Sequence, residues 1–199
     1  MNKGFLITIY GINNIGKSTH AKKLVDKLKA EGYEAVYVKY PVYYLEPTGP
    51  AINKIIRSSG KQEVSEEELQ TLFMQNRADF EPTINEWIDE GKIVVAEDYK
   101  GTGIAWGTAK GLDQKWVEEL NDRLKKEDFV VLMTGKRDMK AKEKTHLHES
   151  DDALVEKVGE VLKSLAEKNG WHTVKVQEEI LDTAALMWKE VSDFLKGGN

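Results

Sequence analysis

Short apolar runs alternate along this chain with longer segments in which apolar residues recur at helical spacing. Five runs have the length of a buried strand, at residues 5–10, 35–38, 93–96, 129–133 and 173–176. Parallel strands need crossover connections that are usually helical, so this order predicts an α/β fold with a doubly wound, five-stranded parallel sheet and helices on both faces. In such sheets ligands lie beyond the carboxyl ends of the strands. We therefore expect the loops after Tyr10, Tyr40, Ala96 and Met133 to surround one cleft.

Helices are expected where apolar positions repeat every three or four residues. Ser65 and Glu68 form a capping-box pattern that predicts the start of a long helix, which Pro82 should kink or restart. The predicted helices cover residues 18–29, 51–57, 65 to about 88, 113–125, 151–168 and 178–195. The segment with glycines at 101, 103 and 107 is expected to be a loop instead.

The composition limits what this chain can be. With 199 residues, of which 40% are hydrophobic, it suffices for one large core, so a single domain over residues 1–199 is expected. A net charge of −5 argues against a general nucleic-acid binder. The absence of cysteine excludes disulfides and thiolate metal sites. With no signal-peptide pattern and no apolar stretch near the ~20 residues of a membrane span, we expect a cytoplasmic protein that binds neither nucleic acid nor membranes.

The first apolar run leads directly into GINNIGKST, residues 11–19, which fits the phosphate-binding pattern G-x-x-x-x-G-K-[ST]. A strand, a glycine-rich turn and a helix in this order direct successive backbone N–H groups at one anion. Lys17 would bring a charge to the β- and γ-phosphates, and Ser18 would offer a hydroxyl to Mg²⁺. The chain is therefore expected to bind a nucleoside triphosphate. The predicted triphosphate site comprises Gly11, Asn13, Asn14, Ile15, Gly16, Lys17, Ser18 and Thr19.

Two carboxylates, Glu97 and Asp98, follow the third predicted strand. Because hard cations take oxygen ligands, either residue could hold Mg²⁺ through its water shell or accept a proton. A solvated acidic turn would also produce such a pair. The position at the carboxyl end of a strand in this kind of sheet favours the functional interpretation.

Several segments together resemble the thymidylate kinases, the P-loop kinases that transfer the γ-phosphoryl group of ATP to dTMP. They are GINNIGKST, KYP followed by TGPAI, LFMQNR in the long helix, EDYKGTGIAWGTAKGLD, and a basic segment before the last helices. These segments follow the family order over essentially the whole chain. The resemblance implies ATP as the phosphoryl donor, Mg²⁺ as the cofactor, dTMP as the acceptor, a homodimer, and a lid at about residues 135–150.

The resemblance also implies roles at the acceptor site. Phe73 would stack on the thymine ring, and Arg77 would hydrogen-bond the base or its neighbourhood. Residues four apart share one face of a helix, which is compatible with both roles, although residue type alone also allows Phe73 and Trp106 to be core residues. A bulky Trp106 could exclude a 2′-hydroxyl. The family positions that line the base and deoxyribose correspond here to Tyr99, Thr102, Gly103 and Trp106.

The chain departs from the family pattern at the acceptor phosphate. Most members carry Asp-Arg-Tyr where this chain has Glu97-Asp98-Tyr99, so the arginine that would bind this phosphate is absent. Phosphoryl transfer requires the charges of both anions to be neutralised. The substitutes, in order of preference, are Lys39, beside the family's proline, here Pro41, then Arg77, Lys100 and Arg57.

A second departure lies in the P-loop itself. Asn13 and Asn14 occupy positions where many relatives have an acidic residue and an arginine, and asparagine cannot neutralise charge. We therefore expect Arg137, in the basic run of the lid, to close onto the transferring phosphoryl group. A solvated basic loop is the alternative for this run.

The leading hypothesis is a direct in-line transfer that depends on Lys17, Glu97, Asp98 and Arg137. Two alternatives remain open. The first is a kinase for another pyrimidine nucleotide or for a deoxynucleoside. Deoxynucleoside kinases resemble this fold with a glutamate at the position of Glu97, and an acceptor without a phosphate would explain the missing arginine. A nucleotide-binding protein without transfer activity is the third possibility.

Overall fold

A computed structural model describes residues 3–57, 64–136 and 152–197 of the chain. Its strands are β1 (Phe5–Tyr10), β2 (Ala35–Lys39), β3 (Ile93–Glu97), β4 (Phe129–Thr134) and β5 (His172–Lys175). Its helices are α1 (Lys17–Ala30), α2 (Thr48–Ile56), α3 (Glu66–Asp89), α4 (Lys100–Ala109), α5 (Gln114–Asn121), α6 (Asp152–Asn169) and α7 (Ile180–Gly197). All five predicted strands are present, with ends within one residue of the predicted ones.

The strands form one sheet in the order β2-β3-β1-β4-β5, and every neighbouring pair is parallel. Glu97 of β3 lies opposite Ile9 of β1 on one side and opposite Lys39 of β2 on the other. The carboxyl ends of these three strands therefore meet at one edge of the sheet. The prediction of a doubly wound parallel sheet is confirmed.

The core is divided between the two faces of this sheet. Side chains of a strand alternate between its faces, and Leu6 and Tyr10 of β1 pack on one side with residues of α3, α4 and α6. Ile7 and Ile9 pack on the other side with residues of α1 and α7. Helices thus cover both faces, as the alternation of strands and helices predicts.

The long helix α3 excludes one of the two outcomes predicted at its proline, a kink or a restart. It begins at the expected capping box of Ser65 and Glu68 and continues through Pro82 as one helix of 24 residues, so the expected restart does not occur. A proline inside a helix removes one backbone hydrogen bond. Here Pro82 is exposed, while Phe80 and Ile84 on either side are buried in the core. Tertiary packing of the buried face therefore outweighs the missing bond.

The expected loop with glycines at 101, 103 and 107 is wrong, because this segment forms α4. The glycines allow close packing against α4: a Cβ at Gly101 would lie 2.8 Å from a ring atom of Tyr10, and one at Gly103 would lie 2.9 Å from Nη1 of Arg77. The low helix propensity of glycine is thus offset by tertiary contacts. This helix forms one wall of the region beyond the strand ends.

Two other helices have shifted ends. Helix α2 begins at Thr48 rather than at 51, and Pro50 lies in its first turn. N–H groups in the first turn make no hydrogen bond within the helix, so the missing N–H of proline is tolerated there. Helix α5 begins after the predicted Asp113, which caps it by accepting a hydrogen bond from Trp116 N. It ends at Asn121 instead of 125, and the side chain of Asn121 donates to the carbonyl of Val117.

The basic run with Arg137 and nearly all of the predicted lid, residues 135–150, lie outside the described residues. The lid and the single domain over residues 1–199 stay predictions. Within the described ranges, no helix combines the length and the apolar character that crossing a membrane requires.

Candidate active site

The loop between β1 and α1 has the backbone geometry of an anion-binding turn. Three of its residues have positive φ values, 155° at Gly11, 62° at Asn14 and 95° at Gly16. Gly16 is the N-cap of α1 in the left-handed conformation and has no side chain that could cap the helix. A turn of this kind before a helix N-terminus leaves backbone N–H groups to bind phosphate oxygens.

Lys17, the first residue of α1, has its side chain folded against this loop. Its Nζ donates to the carbonyl oxygens of Gly11, at 2.9 Å, and Ile12, at 3.0 Å, and it lies 3.6 Å from Oδ1 of Asp98. The side chain is only 6% exposed. The ammonium charge is therefore held at the loop that would bind the triphosphate.

Glu97, the last residue of β3, accepts contacts from three side chains. Its Oε1 accepts a hydrogen bond from Ser18 Oγ at 2.9 Å and lies 3.1 Å from Lys39 Nζ. The hydroxyl of Tyr37 donates to Oε2 at 2.5 Å. Burial opposes ionisation of this carboxyl, but Lys39 and the hydrogen bonds from Tyr37 and Ser18 together lower its pKa below the ordinary value. Glu97 is therefore a fixed carboxylate.

Asp98 follows in the left-handed region, with φ of 62°. Its Oδ1 accepts a hydrogen bond from Thr102 Oγ1 at 2.9 Å and also faces Lys17. Burial raises the pKa of Asp98, Lys17 opposes this shift, and the adjacent Glu97 adds to it. Among the described residues, Oδ2 has neither a hydrogen bond nor an ion pair. Asp98 therefore has an oxygen available to a ligand.

The oxygen atoms of Ser18, Glu97 and Asp98 fit the preference of Mg²⁺ for hard oxygen ligands. They lie beside the loop that would carry the phosphates, since Ser18 bonds Glu97 and Asp98 contacts Lys17. No cluster of three or more histidine or acidic side chains able to hold a metal occurs in the described part of the chain. Phosphate oxygens and water would therefore have to complete the coordination of the ion.

A cleft of about 420 Å³ extends from this loop to the walls formed by α2, α3 and α4. It brings together most of the residues that the sequence singled out. They are Asn13, Asn14, Gly16, Lys17, Ser18, Thr19, Lys39, Pro41, Arg57, Phe73, Arg77, Glu97, Asp98, Thr102, Gly103 and Trp106. The expectation that loops after several strands share one cleft is thereby confirmed for the β1, β2 and β3 loops.

Arg77 of α3 lies deep in this cleft and is 4% exposed. Its Nη1 donates to Asn121 Oδ1 at 3.3 Å, and its Nε has no hydrogen-bond partner in the described part of the chain. Burial is the largest influence on its pKa and lowers it. No carboxylate of the described residues forms an ion pair with this guanidinium. A buried charge without a counter-ion is costly, so Arg77 indicates a site for an electron-rich ligand.

Phe73 and Trp106 belong partly to the core and partly to the cleft. Phe73 packs against the cluster of Ile52, Ile56 and Leu69, and Trp106 packs against the main core on the α4 side of the sheet. Both side chains are only partly buried, and both line the cleft. Both side chains therefore contribute to the core, and contact with a substrate stays a prediction.

The candidate substitutes for the missing arginine are not equivalent in position. Lys39, Arg57 and Arg77 line the cleft, whereas Lys100 does not. Its Nζ lies 3.1 Å from Glu127 Oε2 and donates to the carbonyl of Lys125 at 3.4 Å. The expectation that Lys100 binds the acceptor phosphate receives no support from the structure, because this ion pair holds the side chain elsewhere.

Tyr99 also lies outside the cleft. Its side chain is buried, its hydroxyl donates to Glu81 Oε2 at 3.2 Å, and its ring centre is 5.3 Å from that of Tyr40. It supports the core beneath the cleft, so its position does not support substrate contact. Gly11 and Ile15 shape the phosphate loop without lining the cleft, and Ile15 is buried against α1 and β1.

Sequence reasoning missed several residues of the site. The Tyr37 hydroxyl donates to Glu97, and five further residues of the described ranges line the cleft: Tyr40, Tyr43, Ile56, Glu66 and Gln70. A helical-face argument would have found Gln70, which lies three residues before Phe73 and seven before Arg77. No local signal identifies Tyr37, because its partner is 60 residues away in sequence.

A doubly wound parallel sheet with this loop after its central strand defines a P-loop nucleotide-binding protein. The family model for thymidylate kinase matches residues 9–186. The chain belongs to the thymidylate kinase family.

Relatives and a solved structure agree with this assignment. A thymidylate kinase homologue, 251L of Invertebrate iridescent virus 6, is 29% identical over 181 residues, which are 90% of this chain and 84% of that protein. The thymidylate kinase of Schizosaccharomyces pombe is 34% identical over 134 residues, 66% of this chain and 61% of that enzyme. The structure of the Candida albicans thymidylate kinase is similar in fold, with a TM-score of 0.80 and 22% identity over 97% of this chain and 94% of the other.

Proposed function

We propose that this protein transfers the γ-phosphoryl group of ATP to dTMP, producing dTDP and ADP. The family assignment supports the reaction. The structural observation that supports it is that one continuous cleft runs from the phosphate-binding loop with Lys17 to Phe73 and Arg77. Donor and acceptor nucleotides bound in one cleft can meet end to end, as in-line transfer between them requires.

The phosphate loop and Lys17 would bind and orient the triphosphate. Lys17 Nζ is held by two loop carbonyls and by Asp98, so its charge is near the place where the phosphates would lie. A preorganised charge costs little reorganisation during the reaction. The transfer would then depend on alignment and charge neutralisation, with no covalent intermediate on the enzyme.

Ser18, Glu97 and Asp98 would hold Mg²⁺ together with the nucleotide. The bound ion supplies charge neutralisation of the phosphate oxygens. Asp98 is the better candidate for direct contact because its Oδ2 has no partner within the described residues, whereas both oxygens of Glu97 accept contacts from Ser18, Lys39 and Tyr37. Glu97 would then keep Lys39 and Ser18 in place.

The acceptor would lie between α3 and α4. Phe73 would stack on the base, Arg77 would donate to it, and Lys39 and Arg57 would bind the acceptor phosphate at the other end of the cleft. Arg137 of the lid would close over the phosphoryl group, and the protein would act as a homodimer in the cytoplasm, as the family resemblance implies.

A deoxynucleoside kinase is the second candidate, favoured by one observation. Lys39, the first substitute for the missing arginine, already pairs with Glu97, and Lys100 points away from the cleft. An acceptor without a phosphate would need no further cation. A nucleotide-binding protein without turnover is less favoured, because Lys17, Ser18 and both carboxylates are assembled around the loop.

A coupled assay with MgATP and a panel of acceptors tests the proposal: dTMP, dUMP, dCMP, dGMP and thymidine. We expect the highest kcat/KM for dTMP and none measurable for thymidine. Lys39→Met should raise the KM for dTMP roughly tenfold or more, since hydrogen bonds to charged groups contribute about 1.5–3 kcal/mol. Lys29→Met, an exposed lysine at the end of α1, is the matched control. Preference for thymidine would establish the second candidate, and ATP binding without turnover would establish the third.

A further inference from the structure

Gln70 of α3 is a buried polar residue whose hydrogen bonding is incomplete. It is 2% exposed and lines the same cleft as Phe73 and Arg77. Its Oε1 has no hydrogen-bond partner among the residues that the structure describes. An unpaired buried acceptor destabilises the folded protein by about 1–3 kcal/mol. A ligand that donates a hydrogen bond to this oxygen would remove that cost.

The orientation of the Gln70 amide is fixed by its neighbours. Its Nε2 donates to Glu66 Oε1 at 2.8 Å, and Glu66 Oε2 pairs with Lys110 Nζ at 2.7 Å. Rotating the amide by half a turn would bring its oxygen against a carboxylate oxygen, so the nitrogen must face Glu66. A Cβ at Gly107 would lie 3.3 Å from Gln70 Cγ, so α4 also holds the stem. The unpaired group is therefore an acceptor.

A donor with the same incomplete bonding lies two turns further along α3. Arg77 Nε is buried and has no partner within the described ranges, and residues seven apart share one helix face. Phe73 lies between them on this face and offers its ring to the cleft. The wall thus presents an acceptor, an aromatic plane and a donor. A flat ring whose edge carries an N–H beside a carbonyl would satisfy both orphaned groups.

We propose that Gln70 determines which base the acceptor site takes, an inference that rests on the proposed nucleotide kinase function. Gln70 Oε1 accepts the ring N3–H of a 4-oxopyrimidine, thymine or uracil, while Arg77 donates to the adjacent O4. Cytosine would instead turn the lone pair of its N3 toward Gln70 Oε1 and its amino group toward Arg77. Two acceptors would then face each other at Gln70, and two donors would face each other at Arg77. Both contacts are repulsive, so the cleft rejects the 4-aminopyrimidine.

Steady-state kinetics of Gln70→Leu with dTMP and dCMP test this role. The variant should lose about tenfold in kcat/KM for dTMP, the effect of one neutral hydrogen bond, and should lose nothing for dCMP. The ratio of the two values therefore falls about tenfold. Gln75→Leu is the control, because Gln75 is on the same helix and has both ends of its amide bonded outside the cleft, to Asp79 and Arg123.

The ratio of kcat/KM for dTMP to kcat/KM for dCMP distinguishes a loss of base specificity from general structural damage. Equal losses for both acceptors, or an unchanged ratio, would overturn the proposal, as would a wild-type protein with no preference for dTMP over dCMP. Gln70→Met, measured alongside, keeps the test valid if the leucine variant fails to fold. Calorimetric binding of dTMP and dCMP in the absence of ATP gives the same ratio without turnover. If the binding ratio favours dTMP in the wild type and falls in Gln70→Leu while no acceptor is phosphorylated, the kinase function fails and the role of Gln70 stands.

Discussion

Replacing Arg77 by methionine should stabilise the ligand-free protein and remove its affinity for dTMP. Arg77 is 4% exposed, pairs with no carboxylate of the described residues, and makes one hydrogen bond there, 3.3 Å from Nη1 to Asn121 Oδ1. Methionine is also long and flexible, fills irregular spaces well, and carries no charge to desolvate. The substitution therefore removes the cost of burying a charge while keeping most of the packing.

The magnitude follows from two opposing contributions to the free energy of unfolding. Burying one ion costs several kcal/mol after relaxation. The hydrogen bond to Asn121 returns about 1.5–3 kcal/mol, and it is lost in the variant. The net gain on substitution is about 1–2 kcal/mol. In a domain of this size, about 1 kcal/mol moves Tm by roughly 2–4 °C, so we expect a rise of about 2–8 °C.

Thermal and urea unfolding, each with and without dTMP, would measure both effects. Wild-type protein in dTMP at one hundred times its Kd should gain about 2.7 kcal/mol, and the methionine variant should gain nothing at the same concentration. Arg123→Met is the control, since Arg123 is exposed, lies outside the cleft and bonds Gln75 and Met74. A variant that is less stable than wild type by 1 kcal/mol or more, or one that dTMP still stabilises, would refute the argument.

Two further predictions concern stability. Asn76→Ala should lower the free energy of unfolding by about 2–4 kcal/mol in urea titrations, because the buried Asn76 side chain bonds both backbone groups of Val42 and the hydroxyl of Thr48; a loss below 1 kcal/mol would contradict this. Burial, together with the nearby Lys23, lowers the pKa of His20 below its ordinary 6.5. As the pH decreases, His20 is therefore protonated in the unfolded chain before it is protonated in the folded protein. The free energy of unfolding should then fall as the pH decreases below 6.5. His20→Leu should flatten that decline, and equal pH slopes in the two proteins would disprove it.

The sheet could be predicted from sequence because its three central strands, β1, β3 and β4, are buried on both faces and therefore read as continuous apolar runs. Helix α4 could not, because the glycine content of its sequence indicates a loop. The reason for those glycines is the proximity of Tyr10, Arg77 and Val117, residues that are distant in the chain. Local propensity is a weak guide wherever tertiary contacts determine the choice of residue.

The phosphate loop could also be predicted, since its pattern is local and its geometry follows from glycine positions. The acceptor site depends on which side chains meet across the cleft. Lys39 and Lys100 look alike in sequence, but Lys39 faces Glu97 and the cleft while Lys100 faces Glu127. The partners that separate them lie on other elements, so only the folded chain distinguishes them.

The charges in the cleft explain why a missing arginine matters for the proposed reaction. Lys17 and Lys39 each lie within ion-pair distance of a carboxylate, Asp98 and Glu97. The positive charge at the phosphate end is thus already balanced before any nucleotide arrives, and both nucleotides add only negative charge. Alignment in the cleft would bring these anions together, and their repulsion grows where water is excluded. Arg57 and Arg77 also line the cleft, and further positive charge would have to come with the substrates or from the basic run beyond residue 136. For this reason we propose roles for both Mg²⁺ and Arg137 in the reaction.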